Sequence, residues 1–191
     1  MEKRHRIFVA INLPDDVKRE LASYAKKCPE LPAKWVARDN LHITLEFLGA
    51  LTEEEMGEVC LATKDVAKRH SSFSLNINQI LYGPEKLKPN QPPKMVWASG
   101  EKLKELSELK NDLQGALLEK IRFRPEERVF KPHITLARIG AFAWRQIEPE
   151  EMPEVNENID LLFTVESIEV MESEMKKDGP IYTVLESHNL R

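Results

Sequence analysis

The chain has 191 residues, 41% hydrophobic and 31% charged, a balance too apolar for a disordered chain and ordinary for a globular one. At about 150 residues per domain, the length suits one domain or two tightly joined lobes and excludes a string of domains. A formal net charge of −4 argues against a broad basic surface gripping long nucleic acid through many phosphates, so any nucleic-acid substrate must be held locally.

The start, MEKRHR followed by IFVAINL, imitates a basic region before an apolar one. Asn12 interrupts it, Pro14-Asp15-Asp16 follow, and there is no small-residue cleavage site, so residues 7–13 are expected to be a first strand, buried on both faces, rather than a signal peptide. No apolar run approaches the ~18 residues of a membrane span. A cytoplasmic protein without a membrane partner is expected, and two cysteines, Cys28 and Cys60, fit a reducing compartment.

After Pro14, Val17, Leu21, Ala25 and Cys28 recur at helical spacing. A second helix is expected from Thr52, with Glu55 completing a capping box and Met56, Val59, Cys60, Thr63 and Ala67 on one stripe. Both cysteines thus read as core thiols. A third helix, from about residue 101 to 120, carries Leu103, Leu106, Leu109, Leu113 and Leu117. Strand-prone runs cover residues 73–77, 94–98, 161–170 and 181–185, the last two forming a hairpin whose loop contains Asp178-Gly179. The apolar phase changes near Glu166, which predicts a bulge or bend there. Residues 81–93, with four prolines, read as a surface loop and as the boundary between two lobes.

Residues 120–145 hold seven basic side chains against Glu126 and Glu127, whereas residues 148–160 hold six acids and no base. Within the basic segment lies the second copy of a repeat. The tetrapeptide HITL occurs as His42-Ile43-Thr44-Leu45 and as His133-Ile134-Thr135-Leu136, a spacing of 91 residues. In a strand, the period of two sends His and Thr to one face and Ile and Leu to the other. Two of the five histidines therefore share one context, and a duplicated half-fold would set them face to face. Imidazoles titrate near neutrality, so one can act as general base and the other as general acid. A threonine beside each offers a hydroxyl to a non-bridging phosphate oxygen, a layout suited to in-line displacement at phosphorus.

These motifs resemble the 2H phosphoesterases, and within them the RNA 2′,3′-cyclic phosphodiesterases of bacteria and archaea once described as 2′-5′ RNA ligases. The resemblance runs through RIFVAINLP at 6–14, KWVARDNLHITLEFLG at 34–49, MVWASG at 95–100, RVFKPHITLAR at 128–138, and Ser173, Gly179 and Tyr182 near the end. It implies an α+β fold of two pseudo-symmetric lobes, each an antiparallel sheet with helices outside, around a central cleft, in a single bilobal domain over 1–191. It implies His42, Thr44, His133 and Thr135 as the catalytic quartet, Arg138 as a phosphate-side cation and Phe47 as a base-stacking aromatic. Counted by twos from its histidine, each of these last two falls on the opposite strand face, and reaches the cleft only if the strand ends or twists first.

The expected reaction is metal-independent hydrolysis of a 2′,3′-cyclic phosphate at an RNA 3′ end or nucleotide, giving a 2′-phosphomonoester, with no cofactor. His42 is read as the acid and His133 as the base, and the reverse is equally compatible with a symmetric pair. Ligation through a 2′-5′ bond by the reverse chemistry and a non-catalytic RNA-end binding module are the alternatives. A monomer is expected. No HExxH or CxxC metal motif, GxSxG elbow, Walker loop or GxGxxG is present. Trp97 reads as core, and Trp144 as either a cleft border or a packing anchor.

Overall fold

The computed structural model describes residues 3–84, 91–126, 130–151, 153–177 and 179–191, except the side chain of Pro149. Its elements run in the order β1 (His5–Asn12), α1 (Asp15–Ser23), β2 (Ala33–Trp35), β3 (His42–Leu51), α2 (Glu53–Ala67), β4 (Phe73–Gly83), β5 (Met95–Gly100), α3 (Lys104–Lys120), β6 (His133–Ile139), α4 (Ala141–Trp144), β7 (Asn156–Val165), β8 (Ser167–Lys176) and β9 (Gly179–Asn189).

The strands form one mixed-order sheet, β7-β4-β5-β6-β3-β1-β8-β9, with every recorded pairing antiparallel and β2 set against β6. It divides into two four-stranded halves, each ending centrally in an HITL strand. The halves meet where Ile43 of β3 pairs with Ile134 of β6. Past that pair β6 turns its free edge to β2, with Ala33, Lys34 and Trp35 opposite Ile139, Arg138 and Ala137, so β3 and β6 diverge.

Helices α1, α2 and α3 bury their apolar stripes in one core together with the inward side chains of the strands. Thr52 caps α2 through the reciprocal Thr52–Glu55 box; of the expected stripe Val59, Thr63 and Ala67 are buried and Met56 and Cys60 half-buried against the core, with Val66 buried as well. Helix α3 begins at Lys104, with Leu103 as its cap residue, and buries Leu106, Leu109, Leu113 and Leu117. Helix α1 stops at Ser23 and gives way to a 3-10 turn, so Cys28 lies beyond it, half-buried against the core. The core is continuous under the helices, and a smaller group, Phe8, Ala10 and Met171 with Tyr182 against it, lies apart from it.

Two sequence readings change. Residues 81–83 belong to β4, and Gly83 pairs with Met95, so the proline-rich stretch closes a hairpin inside one half; residues 85–90 lie outside the described ones. Proline excludes regular pairing in a hairpin loop as well as in a linker, which is why the two look alike in sequence. The chain passes between halves instead after α2 and at Glu166, where the phase change seen in sequence is a strand break. The C-terminus stitches these crossings together: Leu190 N–H donates to Glu166 O, Arg191 N–H to His70 O, and Ser72 N–H to Arg191 O. The β8–β9 hairpin forms as expected, with Gly179 at φ 130° opening β9 and Asp178 outside the described residues. Among the described residues no helix is long and apolar enough to cross a membrane.

Candidate active site

Ile43 and Ile134 are both fully buried. Their side chains point under the helices, so alternation aims His42, Thr44, His133 and Thr135 at the opposite, open face. An antiparallel pair has local two-fold symmetry, and the Ile43–Ile134 pair lies on that axis. The two motifs are thereby brought together as symmetric copies, at the point where the strands separate into a cleft.

His42 Nδ1 lies 2.7 Å from Asn40 O, so this nitrogen carries the hydrogen and donates it to the carbonyl. That leaves Nε2, 2.9 Å from Thr44 Oγ1, facing the cleft. The ring packs 5.0 Å from Phe8 and edge-on to Tyr182 at 5.1 Å. Burial lowers the His42 pKa from the ordinary histidine value; the Asn40 hydrogen bond opposes this, while the neighbouring Lys18, His133 and Arg138 add to it. The turn that presents Asn40 O is tied on two sides, by Lys18 Nζ donating to Asp39 O at 3.1 Å and Asn40 Nδ2 donating to Pro180 O at 2.8 Å.

His133 repeats this arrangement, its Nδ1 3.0 Å from Lys131 O, again two residues upstream. Its surroundings differ. The imidazole stacks on Trp97 with centroids 4.1 Å apart and planes 30° apart. Trp97 is therefore a wall of the site as well as part of the packing. Gly83 lies so closely against the indole that a Cβ there would overlap its ring carbons. Thr135 Oγ1 and Arg138 Nη1 both lie 4.0 Å from Met95 Sδ, which gathers them on one side of β6.

Arg138 and Phe47 do share the face of the histidines, against the count by twos. Between Thr44 and Glu46 the β1–β3 register slips by one residue, and between Thr135 and Ala137 the β5–β6 register slips in the same way. Each slip is a bulge that sends two successive residues inward, Leu45 with Glu46 and Leu136 with Ala137, and returns the next to the open face. Phe47 emerges 68% exposed, 5.9 Å from Phe8. The structural repeat thus extends to the sixth position counted from the histidine, occupied by an aromatic ring in one half and a guanidinium in the other.

Phe8 and Tyr182 enter the sequence reading only within resembling segments, with no site signal of their own, yet both pack on His42. Trp144 is a packing anchor, buried and edge-on to Tyr82 at 5.4 Å. Burial and a hydrogen bond to Glu186 push the Cys60 thiol up to about 11, as suits an inert core cysteine. Among the described residues, no group of three or more His, Cys, Asp or Glu side chains is arranged to hold a metal ion.

The LigT-like phosphoesterase family description matches residues 11–93 and 96–182. The chain belongs to that family. A Thermus thermophilus relative named RNA 2′,3′-cyclic phosphodiesterase is 32% identical over 192 residues, covering 97% of this chain and 90% of that one. A Thermotoga maritima relative of the same name is 28% identical, covering 94% and 92%. Among solved structures, TT0787 of Thermus thermophilus has a TM-score of 0.81 at 30% identity, covering 97% of this chain and 98% of that one. Escherichia coli LigT complexed with 3′-AMP has a TM-score of 0.77 at 24% identity, covering 98% and 99%, a likeness of fold. The two-lobed α+β architecture implied by the sequence is the architecture of this family.

Proposed function

We propose that this phosphoesterase is an RNA 2′,3′-cyclic phosphodiesterase, a single bilobal domain that opens a terminal cyclic phosphate to a 2′-phosphomonoester without a metal ion or other cofactor. The observation that carries the reading is the pairing of two identical His-x-Thr motifs about Ile43–Ile134 at the head of a cleft, in a chain whose relatives bear that activity in their names.

The roles of the histidines follow from what borders each of them. In a 2′,3′-cyclic phosphate, leaving and retained oxygens both belong to the terminal ribose, so the nucleoside lies on the side of the acid and water on the side of the base. Phe8, Phe47 and Tyr182 line the His42 side, and an exposed ring such as Phe47 offers a stacking surface to any base. His42 is accordingly the acid and His133 the base. Water held by His133 Nε2 gives up its proton there as its oxygen attacks phosphorus. The bond from phosphorus to the 3′ oxygen breaks, and that oxygen takes the proton from His42 Nε2. Exchange with solvent then resets both rings.

Thr44 and Thr135 supply hydroxyl donors to the non-bridging oxygens, whose charge Arg138 offsets. In the free protein a neutral His42 accepts the Thr44 hydroxyl through Nε2. Bound phosphate supplies the negative charge that favours imidazolium, and a protonated Nε2 releases that hydroxyl toward the phosphate. Protonation of the acid and grip on the substrate are thus coupled.

The test is incubation of purified protein with nucleoside 2′,3′-cyclic phosphates and separation of the 2′ and 3′ monophosphates. Multiple turnovers to the 2′ product support the reading. Binding without turnover would make the protein an RNA-end binding module.

A further inference from the structure

The bulge in β3 has a charged residue at its inner position. Glu46 is buried, and its Oε2 accepts a hydrogen bond from Lys110 Nζ of α3 at 2.9 Å; the two side chains are 2% and 6% exposed. The ammonium also lies 5.5 Å from the centre of the Phe130 ring. The matching position in β6 is Ala137, which needs no partner. Lys110 occupies a helix face otherwise composed of Leu106, Leu109, Leu113 and Leu117, so a lysine there calls for a specific use.

Without the slip between Thr44 and Glu46, alternation would turn Glu46 to the cleft beside Thr44 and turn Phe47 inward. A carboxylate would then face the bound phosphodiester, and the aromatic surface would be lost. A buried carboxylate is tolerated only when paired, so the lysine decides which phase the strand adopts. We infer that the buried Glu46–Lys110 pair is a positioning device that holds the β3 bulge, keeping a carboxylate out of the cleft and presenting Phe47 to the substrate base. The inference rests on the cyclic phosphodiesterase reading and makes Lys110, remote from the reacting atoms, a determinant of substrate affinity.

The test is a double-mutant cycle on nucleoside 2′,3′-cyclic phosphate hydrolysis. Phe47→Ala in the native background should raise KM roughly tenfold, the scale of one base–aromatic stack. Lys110→Met should raise KM at least as much while kcat stays within about threefold, and adding Phe47→Ala to it should change KM less than about twofold, since the ring has already left the cleft. Glu46→Leu with Lys110→Met should restore KM to within about threefold of native, because an apolar residue holds the inner position without a counter-ion. If Lys110→Met fails to fold, Lys110→Gln, which keeps one hydrogen bond but removes the charge that offsets the buried carboxylate, enters the same cycle with the same direction of change. An unchanged KM in the lysine variant, or a full Phe47→Ala effect on top of it, overturns the inference. Native protein that does not turn over the substrate removes the functional reading and this inference with it, whereas native turnover with an ineffective lysine variant removes the inference alone.

Discussion

Ile43 and Ile134 face each other across the centre of the sheet, fully buried, each flanked by a histidine and a threonine that point the other way. One apolar contact beneath the sheet therefore sets the relative position of four polar groups above it. Truncating it should cost stability and alignment together. Ile134→Ala is expected to lose roughly 2–5 kcal/mol in urea unfolding. It should also lower turnover in the fraction that remains folded. A loss below about 1 kcal/mol with native turnover would mean that other contacts hold the two halves in register.

The pH dependence follows from the surroundings of His42. Its pKa lies below the ordinary histidine value in the free protein, because burial disfavours the imidazolium and the neighbouring Lys18, His133 and Arg138 add to this. As the proposed acid, His42 must be protonated to act, so in the free enzyme the active protonation state is confined to lower pH. A bound phosphate anion acts with the opposite sign. Both kcat/KM and kcat should be bell-shaped, and the alkaline limb of kcat should lie at higher pH than that of kcat/KM. Coincident limbs, or the reverse order with chemistry rate-limiting, would contradict the coupling of His42 protonation to substrate binding.

Gly83 lies far from His133 in sequence, yet the Trp97 ring against it is the ring on which His133 stacks. Gly83→Ala forces a methyl group into the indole and should cost about 1–3 kcal/mol as overpacking. It should also lower kcat by about tenfold or more through displacement of the imidazole. In a Trp97→Ala background the same substitution should cost little further. Equal losses in both backgrounds, read from kcat and thermal melts, would separate Gly83 from the site.

In the proposed mechanism two imidazoles carry both proton transfers, so activity should survive chelation. Dialysis against EDTA is expected to leave turnover within about twofold. Activity that vanishes and returns with a divalent ion, without a change in circular dichroism, would require a different mechanism.

Much of this was legible in local sequence. The repeat exposed the paired motifs, the Thr52–Glu55 box marked the start of α2, and apolar stripes located the helices. The bulges were not legible, because a slip of one residue leaves no mark on composition and depends on strands distant in sequence. Counting by twos turned Phe47 and Arg138 the wrong way for that reason. The crossings between halves were hidden similarly. A proline-rich hairpin loop looks like a linker until Gly83 is seen paired with Met95. Trp97 has the apolar context of a core residue, and only the β5–β6 pairing, with Trp97 opposite Thr135 and Ser99 opposite His133, brings it to the imidazole.

In the proposed mechanism His42 as acid and His133 as base divide the two proton transfers, and the leaving group tests this division most directly. Each His→Ala variant should lose roughly 10²–10⁴-fold in cyclic-phosphate hydrolysis while remaining folded. A nitrophenyl phosphodiester, whose departing oxygen hardly needs a proton, still requires activated water. On that substrate the deficit of His42→Ala relative to native protein should shrink strongly, and that of His133→Ala should persist. Rescue of His133→Ala with a persistent deficit in His42→Ala would reverse the roles, and native rates in both variants on both substrates would remove these histidines from catalysis.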